Sequence, residues 1–369
     1  VAGATTISAG AANDVTLDNL NDFAGNVSVQ SGRTVRLNDI NNLTLDLSSF
    51  GTLTATAAGT VMLAGPLTAT GAGDAVVLSG SRFVNNAGAG ALSASGGRWL
   101  VWSSNANPFG GATPDNRGGL AYGFKQYNAI YGVTPVAQPT GNGFLYSLAP
   151  TITPGLTGTV SKVYDATTSA PLAAANFTPT IGVDGDVVAM SGTGAYDNPN
   201  VAGSPTKLVT ATGITAAMTS SVADGSKPVY GYTLTSTTAS ANIGAITPAS
   251  LTVTGNTTSN TYTALAQTNG FTTTGLLTGN GDSVTGVSGL ATRTNVGTTA
   301  DSLSAATGAG LGNYTISYAN GSLTITPAAL TVTGNATSSG YTAAAQTNGF
   351  STTGLLTGNG DSVTGVSGL

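Results

Sequence analysis

Short alternations of apolar and polar residues recur through the first hundred positions of the chain. One series pairs Val15 with Leu17, Val35 with Leu37, Leu53 with Ala55 and Val76 with Leu78, in steps of 20, 18 and 23 residues. A second series interleaves with it: Val27/Val29, Leu43/Leu45, Val61/Leu63 and Phe83/Val84. Side chains alternate across a strand, so each such pair marks a short strand with one buried face. Two or three strands per turn of roughly 20 residues, cornered by Asn, Asp and Gly, predict the C-terminal coils of a parallel β-helix over 1–105. The end coil of such a stack needs a cap. Trp99, Trp102, Phe109, Tyr122, Phe124, Tyr127, Tyr131, Phe144 and Tyr146 cluster there, which predicts a cap and connector over 106–150.

Further on, the chain repeats itself. Leu251–Leu290 returns as Leu330–Leu369, offset by 79 residues, with differences only at Thr257/Ala336, Asn260/Ser339, Thr261/Gly340, Leu265/Ala344 and Thr272/Ser351. Near-identity over a domain-sized span predicts tandem domains. Ile152-Thr-Pro154, Ile246-Thr-Pro248 and Ile325-Thr-Pro327 each close an alternating run. Proline cannot donate to a ladder, so it suits a strand leaving one sheet for the next. Within the repeat the pattern predicts strands at Leu251–Val253, Tyr262–Ala264, Ser283–Val287, Asn313–Ser317 and Ser322–Ile325, punctuated by Asn280-Gly281 and Asn320-Gly321. Such spacing predicts small antiparallel sandwiches of Ig-like type. The expected division is 151–249, 250–328, and an incomplete second copy at 329–369.

Composition sharpens this all-β reading. Thr, Val, Ser, Asn and 53 Gly dominate, and only 7% of residues are charged. All 15 acids are Asp, and the chain has no Glu, His or Cys. That excludes His or Cys metal sites, disulfides, Ser-His-Asp and Cys-His nucleophiles, and a Glu general acid. A net charge of −5 argues against nucleic acid as a partner. No apolar run reaches the roughly 18 residues that a transmembrane helix needs. The chain starts at Val1 with no charged leader, so any signal peptide is expected to lie upstream or to have been removed.

Several stretches resemble a known group. The residues 82–103 (RFVNNAGAGALSASGGRWLVWS) and 115–133 (DNRGGLAYGFKQYNAIYGV) resemble the end of the β-helix in two-partner secretion exoproteins, the filamentous haemagglutinin-like adhesins of Gram-negative bacteria. SKVYDATT at 161–168 resembles the signature of the YDG domain, with Ala166 where that motif has Gly; GVDGDVV at 182–188 and YDNPNVAG at 196–203 match as well. NYTISYANGSLTITPAALTVTG at 313–334 resembles the MBG-type Ig-like repeat. The resemblance implies a right-handed β-helix, and an extracellular or cell-surface protein exported unfolded through an outer-membrane transporter of the two-partner secretion type. A chain without Cys cannot be trapped by disulfides on that route.

Candidate chemistry is sparse. Gly279-Asn-Gly-Asp282-Ser, repeated around Asp361, reads as a hairpin turn; the alternative is a Ca²⁺ loop on Asp282 and Asp361. Asp184, Asp186 and Asp197 form a second Ca²⁺ candidate, because hard cations want several oxygens, against a reading as solvated loop carboxylates. Asp39, Asp46, Arg33 and Arg36 are the residues a polysaccharide-acting β-helix enzyme would use, yet the acids of that region sit mainly at corners. Lys162, Lys207 and Lys227 near Asn or Asp are candidates for an isopeptide crosslink. Tyr164, Tyr196, Tyr230, Tyr232, Tyr262, Tyr314, Tyr318 and Tyr341 read as sandwich core or as sugar-stacking rings.

The expectation is therefore a non-enzymatic structural protein, with no catalytic residue and no cofactor beyond the Ca²⁺ candidates. Its low charge and repeated domains suit self-association into a homopolymeric filament or biofilm matrix. An array that binds glycan is the alternative. At Leu369 the second copy breaks off before its closing strands, so the expectation is either a longer natural array or completion by a neighbour's strand.

Overall fold

A computed structural model describes all residues from Val1 to Leu369. The chain is all-β: strands throughout, four single-turn 3-10 helices and no α-helix. No helix is long and apolar enough to cross a membrane. By internal contacts it falls into two units. The first holds Val1–Gly158, Leu172–Gly194 and Thr210–Ala241, and the second holds Thr159–Pro171, Ala195–Val209 and Asn242–Leu369.

Most of the first unit is a stack of three parallel sheets. One sheet orders Thr5–Ser8, Val27–Ser31, Leu43–Leu45, Thr60–Leu63 and Arg82–Asn85; the second orders Val15–Asn21, Thr34–Asp39, Thr52–Ala57, Gly73–Gly80 and Gly97–Ser103. Each turn of chain gives one strand to each of the first two sheets in the same direction, and the last three turns add one to a third sheet, which is the strand arrangement of a parallel β-helix. The alternating pairs stack in register. Val15 lies beside Val35, Val35 beside Leu53, Leu53 beside Val76, and Val76 beside Trp99. From Val35 onward these residues are fully buried. Removing each such side chain from water contributes roughly 1.5–3 kcal/mol.

The third sheet, Ser48–Phe50, Leu67–Ala69 and Leu92–Ala94, lies outside both sequence series. Its strands are three residues long and alternate weakly. At the last coil the inward pair is Phe83 and Asn85 rather than Phe83 and Val84, because Phe83 registers with Val61 and Asn85 with Leu63. Asn85 is buried there, and its amide donates to the carbonyls of Gly88 and Arg117. Corners are tight. A Cβ on Gly51 would stand 2.2 Å from the Arg33 carbonyl oxygen, so only glycine fits between coils.

The aromatic segment adds to the second sheet. Gly143–Tyr146 pairs parallel with Gly97–Ser103, Phe124–Gln126 pairs parallel with Gly143–Tyr146, and Pro228–Tyr230 pairs parallel with Phe124–Gln126. Trp99 meets Phe144 edge-on at 5.1 Å, closing the hydrophobic column with rings. A smaller core of Ile152, Phe177, Val188, Met190, Ala211 and Ile214 completes this unit.

In the second unit the repeat forms small sheets of mixed direction, not wholly antiparallel ones. Ala249–Gly255 runs parallel to Tyr314–Ala319 and antiparallel to Phe271–Thr274. Thr257–Thr261 runs parallel to Ser322–Thr326, which pairs antiparallel with Gly297–Ala300. The parallel pairs arise because 249–261 and 314–326 travel side by side and cross between sheets at the same level. At that crossing a Cβ on Gly321 would lie 2.2 Å from the Asn256 carbonyl oxygen. The strand expected at Tyr262–Ala264 instead ends at Thr261, because the chain turns at Ala264, whose φ is 61°.

Candidate functional site

The chemically densest place in the first unit is a buried charge cluster. The strand Phe124–Gln126 carries Lys125, which has no solvent exposure. The 3-10 turn Val183–Gly185 presents Asp184, with Asp186 directly after it. Lys125 Nζ lies 2.6 Å from Asp184 Oδ2 and also pairs with Asp186 Oδ1. Arg117 grips Asp184 with both terminal nitrogens, at 2.9 and 3.0 Å. The hydroxyls of Tyr127 and Tyr232 donate to Asp186 Oδ2 at 2.9 and 3.0 Å. Two cations thus face two carboxylates with little water, where charge-assisted bonds are strongest. Burial pushes the Asp186 carboxyl up, while Lys125, Tyr127 and Tyr232 hold it down. Burial, and then the Asp186 charge, push the Tyr127 and Tyr232 phenols well up.

Beside this cluster opens a cleft of about 310 Å³, lined by Pro108, Phe109, Pro114, Asp115, Arg117, Tyr146 and Asp184. The Tyr146 hydroxyl is buried there without a hydrogen-bond partner, and so is Asp115 Oδ2. Burial raises the Asp115 carboxyl above its ordinary range, against hydrogen bonds from Ser103 and Asn105. The Arg117 guanidinium lies 5.6 Å from the Phe109 ring centre. The Phe109 ring on the cleft wall offers a face on which a neutral polyhydroxyl ligand can stack.

The second unit buries carboxylates without cations. Asp282 Oδ2 accepts from Tyr164 Oη at 2.6 Å and Tyr314 Oη at 2.7 Å. Asp361, which is exposed, accepts from the Tyr262 hydroxyl. Asp301 accepts from the Ala291 and Gly321 backbone N–H groups and from the Asn269 amide. Burial, and then the bond to Asp282, push the Tyr314 phenol up to about 12. The Asn280-Gly281 stretch is a turn, with Gly281 at φ 79°.

The sequence candidates therefore separate. Asp184 and Asp186 meet around Lys125, the first half-buried and the second buried; Asp197 belongs to the second unit, where it faces Lys207 at 3.3 Å. Nowhere do three carboxylates gather as a metal-holding group. Asp39 is buried and accepts from the Phe23 and Asn41 backbone N–H groups, and Asp46 accepts from Asn26. Arg33 is paired with Asp14, and Arg36 is exposed. Lys162 donates to Asp165, Lys207 to Asn198 at 2.7 Å, and Lys227 lies 4.8 Å from the Tyr122 ring centre. Sequence reasoning missed Lys125, Arg117 and Asp301. The available signal was a lysine inside the aromatic run Phe124-Lys-Gln-Tyr127, where only a paired charge can be buried.

These features define an all-β chain built from a parallel-stranded coil stack and small mixed sandwiches. Within it, a YDG domain is found at residues 149–239, a span that includes the motifs at 161–168, 182–188 and 196–203. Such a domain points to a surface or binding module. Neither a curated protein nor a solved structure matches the chain.

Proposed function

We propose that this chain is a secreted structural protein of a Gram-negative cell surface, acting as an adhesin or as a subunit of an extracellular filament or biofilm matrix. The observation that supports it most is the tandem order of a coil stack, a YDG domain and a repeat whose first 40 residues return almost unchanged 79 residues later. Repeated domains offer the same lateral patch at regular intervals, so weak contacts add by avidity. The buried charges around Lys125 are engaged with one another, which suits a scaffold. Export would use an outer-membrane transporter partner of the two-partner secretion class. Light scattering and electron microscopy of the purified chain test the assembly: filaments growing with concentration are expected, and monodisperse monomers would overturn it.

A second reading, as a glycan-binding array, is favoured by the cleft at Phe109 and Tyr146. It expects saturable binding to one sugar on a glycan panel, weakened by Phe109→Ala. Absence of binding across the panel would remove it.

A further inference from the structure

One contact is built twice along the second unit. Ser161-Lys-Val-Tyr164-Asp-Ala166 and Ser259-Asn-Thr-Tyr262-Thr-Ala264 share the pattern Ser-x-x-Tyr-x-Ala, which returns as Ser338-Ser-Gly-Tyr341-Thr-Ala343. In all three the alanine is left-handed, at φ 63°, 61° and 59°. In the first two the tyrosine N–H donates to the threonine carbonyl of an Ile-Thr-Pro joint, Tyr164 to Thr247 at 2.8 Å and Tyr262 to Thr326 at 2.9 Å. Each tyrosine therefore stands at the seam where the chain passes through a proline into the next domain.

Across each seam the hydroxyl enters the Gly-Asn-Gly-Asp turn of that next domain. Tyr164 donates to Asp282 and Tyr262 donates to Asp361. A second strut recurs with them: Asn280 Nδ2 donates to Asn200 Oδ1 at 3.2 Å, and Asn359 Nδ2 to Asn295 Oδ1 at 2.7 Å. The glycine that opens each turn also lies against the left-handed alanine. A Cβ on Gly279 would come 3.5 Å from the Ala166 methyl, and one on Gly358 would come 3.5 Å from that of Ala264. Two seams with different sequences on the tyrosine side thus share the same plug and the same socket.

We propose that Tyr341 and Ala343 form the third plug, a docking surface for the Gly-Asn-Gly-Asp turn of a further copy of the 79-residue repeat placed in tandem. Tyr341 is 96% exposed, whereas its counterpart Tyr164 is 2% exposed. The occupant follows from the two filled seams, whose carboxylates lie 118 and 99 residues beyond their tyrosines in the same chain. A phenol donating to a carboxylate is directional and charge-assisted, so it fixes the angle between neighbours rather than only their proximity. This coupling stands whether or not the chain is an adhesin.

The test appends residues 291–369 after Leu369, since Leu290 and Leu369 occupy equivalent repeat positions, and maps tyrosine O-acetylation by N-acetylimidazole using mass spectrometry. Tyr341 is expected to react freely in the 369-residue chain and about tenfold more slowly in the extended one, the factor equal to about 1.4 kcal/mol. Tyr164, protected in both, reports that each chain is folded. Appending 291–328 alone completes the sandwich, whose core packs against the counterpart Tyr262, without adding a new turn; protection of Tyr341 by that shorter extension equal to that given by the longer one would overturn the proposal. Asp361→Ala in the appended copy alone should restore reactivity, and persistent protection would also overturn it. Protection that rises with protein concentration would assign the surface to another molecule and end the tandem reading.

Discussion

The two units bury aspartate by different means. In the first, Asp186 loses its water to a lysine that is itself buried, and two tyrosine hydroxyls fill the remaining lone pairs. In the second, Asp282 and Asp301 have only neutral donors: phenols, an amide and backbone N–H groups. A buried ion pair concentrates its risk, because losing one partner strands the other in a medium that cannot solvate it. Neutral donors spread the same task over several bonds, each worth about 1.5–3 kcal/mol to a charged acceptor. The first arrangement ties segments 59 to 67 residues apart with one knot, whereas the second stitches seam by seam.

The largest effect is therefore expected from Lys125→Met. It should destabilise the first unit by about 3–5 kcal/mol, the usual consequence of leaving a buried charge unpaired. Trp99 and Trp102 both belong to this unit, so urea unfolding followed by tryptophan fluorescence reads it directly. Adding Asp186→Asn should recover a large part of the loss. A Lys125→Met cost below about 1 kcal/mol would place this carboxylate in the same class as those of the second unit.

Next comes Asp282→Ala, which takes the acceptor from the Tyr164 hydroxyl and leaves that of Tyr314 only the Leu277 carbonyl at 3.2 Å, at about 2–3 kcal/mol in total. Asp282→Asn keeps an acceptor oxygen and should cost about half as much. The alkaline limb sharpens this. Tyr314, held near 12, and Tyr164, also raised by burial and Asp282, contribute stability that is complete below the ordinary tyrosine value of about 10. That contribution is lost as pH rises toward 12. Asp282→Ala should move both phenols down in an absorbance titration, and an unchanged titration would show that the carboxylate does not govern them.

A smaller effect separates the units at acid pH. The Asp186 carboxyl is raised in the fold by burial, so the folded chain binds its proton more tightly than the unfolded chain does. Stability from this group is full below the ordinary carboxylate value of about 4 and declines as pH rises through the raised one. Asp165, in the second unit, has the opposite sign: against burial, Lys162 and Thr167 hold it down, so its contribution disappears as pH falls. The stability of the wild-type chain minus that of Asp186→Asn should fall as pH rises above about 4. A difference that grows with pH would reverse the assignment.

Much of the coil stack was legible in the sequence because stacked parallel-stranded coils repeat their inward positions at nearly constant spacing. Val35, Leu53 and Val76 stack where the alternation placed them. The third sheet was not legible, since three residues such as Leu67–Ala69 give one inward-outward-inward pattern and no more. The charge cluster was hidden for a different reason. Its partners lie far apart in sequence, and nothing local at Asp184 or Asp186 says that a lysine from Phe124–Gln126 will meet them. The seams lay in between: the Ser-x-x-Tyr-x-Ala pattern is readable, but only the fold shows that its tyrosine reaches an aspartate of the next domain.

The smallest effect concerns left-handed backbone in the two units. Asp184 holds φ 52° and Ala166 holds φ 63°. A left-handed L-residue costs roughly 1–2 kcal/mol, and Asp tolerates it better than Ala. Asp184 cannot give up its side chain, because Arg117 and Lys125 bind it. Ala166 can. Its neighbour Asp165 already fixes the turn by accepting from the Thr167 N–H at 2.9 Å and from Lys162 at 2.6 Å. Ala166→Gly, which restores the Tyr-Asp-Gly motif, removes the strain but adds unfolded-chain entropy worth about 0.5–1 kcal/mol. The expected outcome is a net stabilisation of the second unit by under about 1 kcal/mol, with tryptophan-detected unfolding unchanged. Circular dichroism in urea would read it. A loss of stability instead would mean that the Ala166 methyl against the Gly279 backbone holds the seam more firmly than the strained φ weakens it.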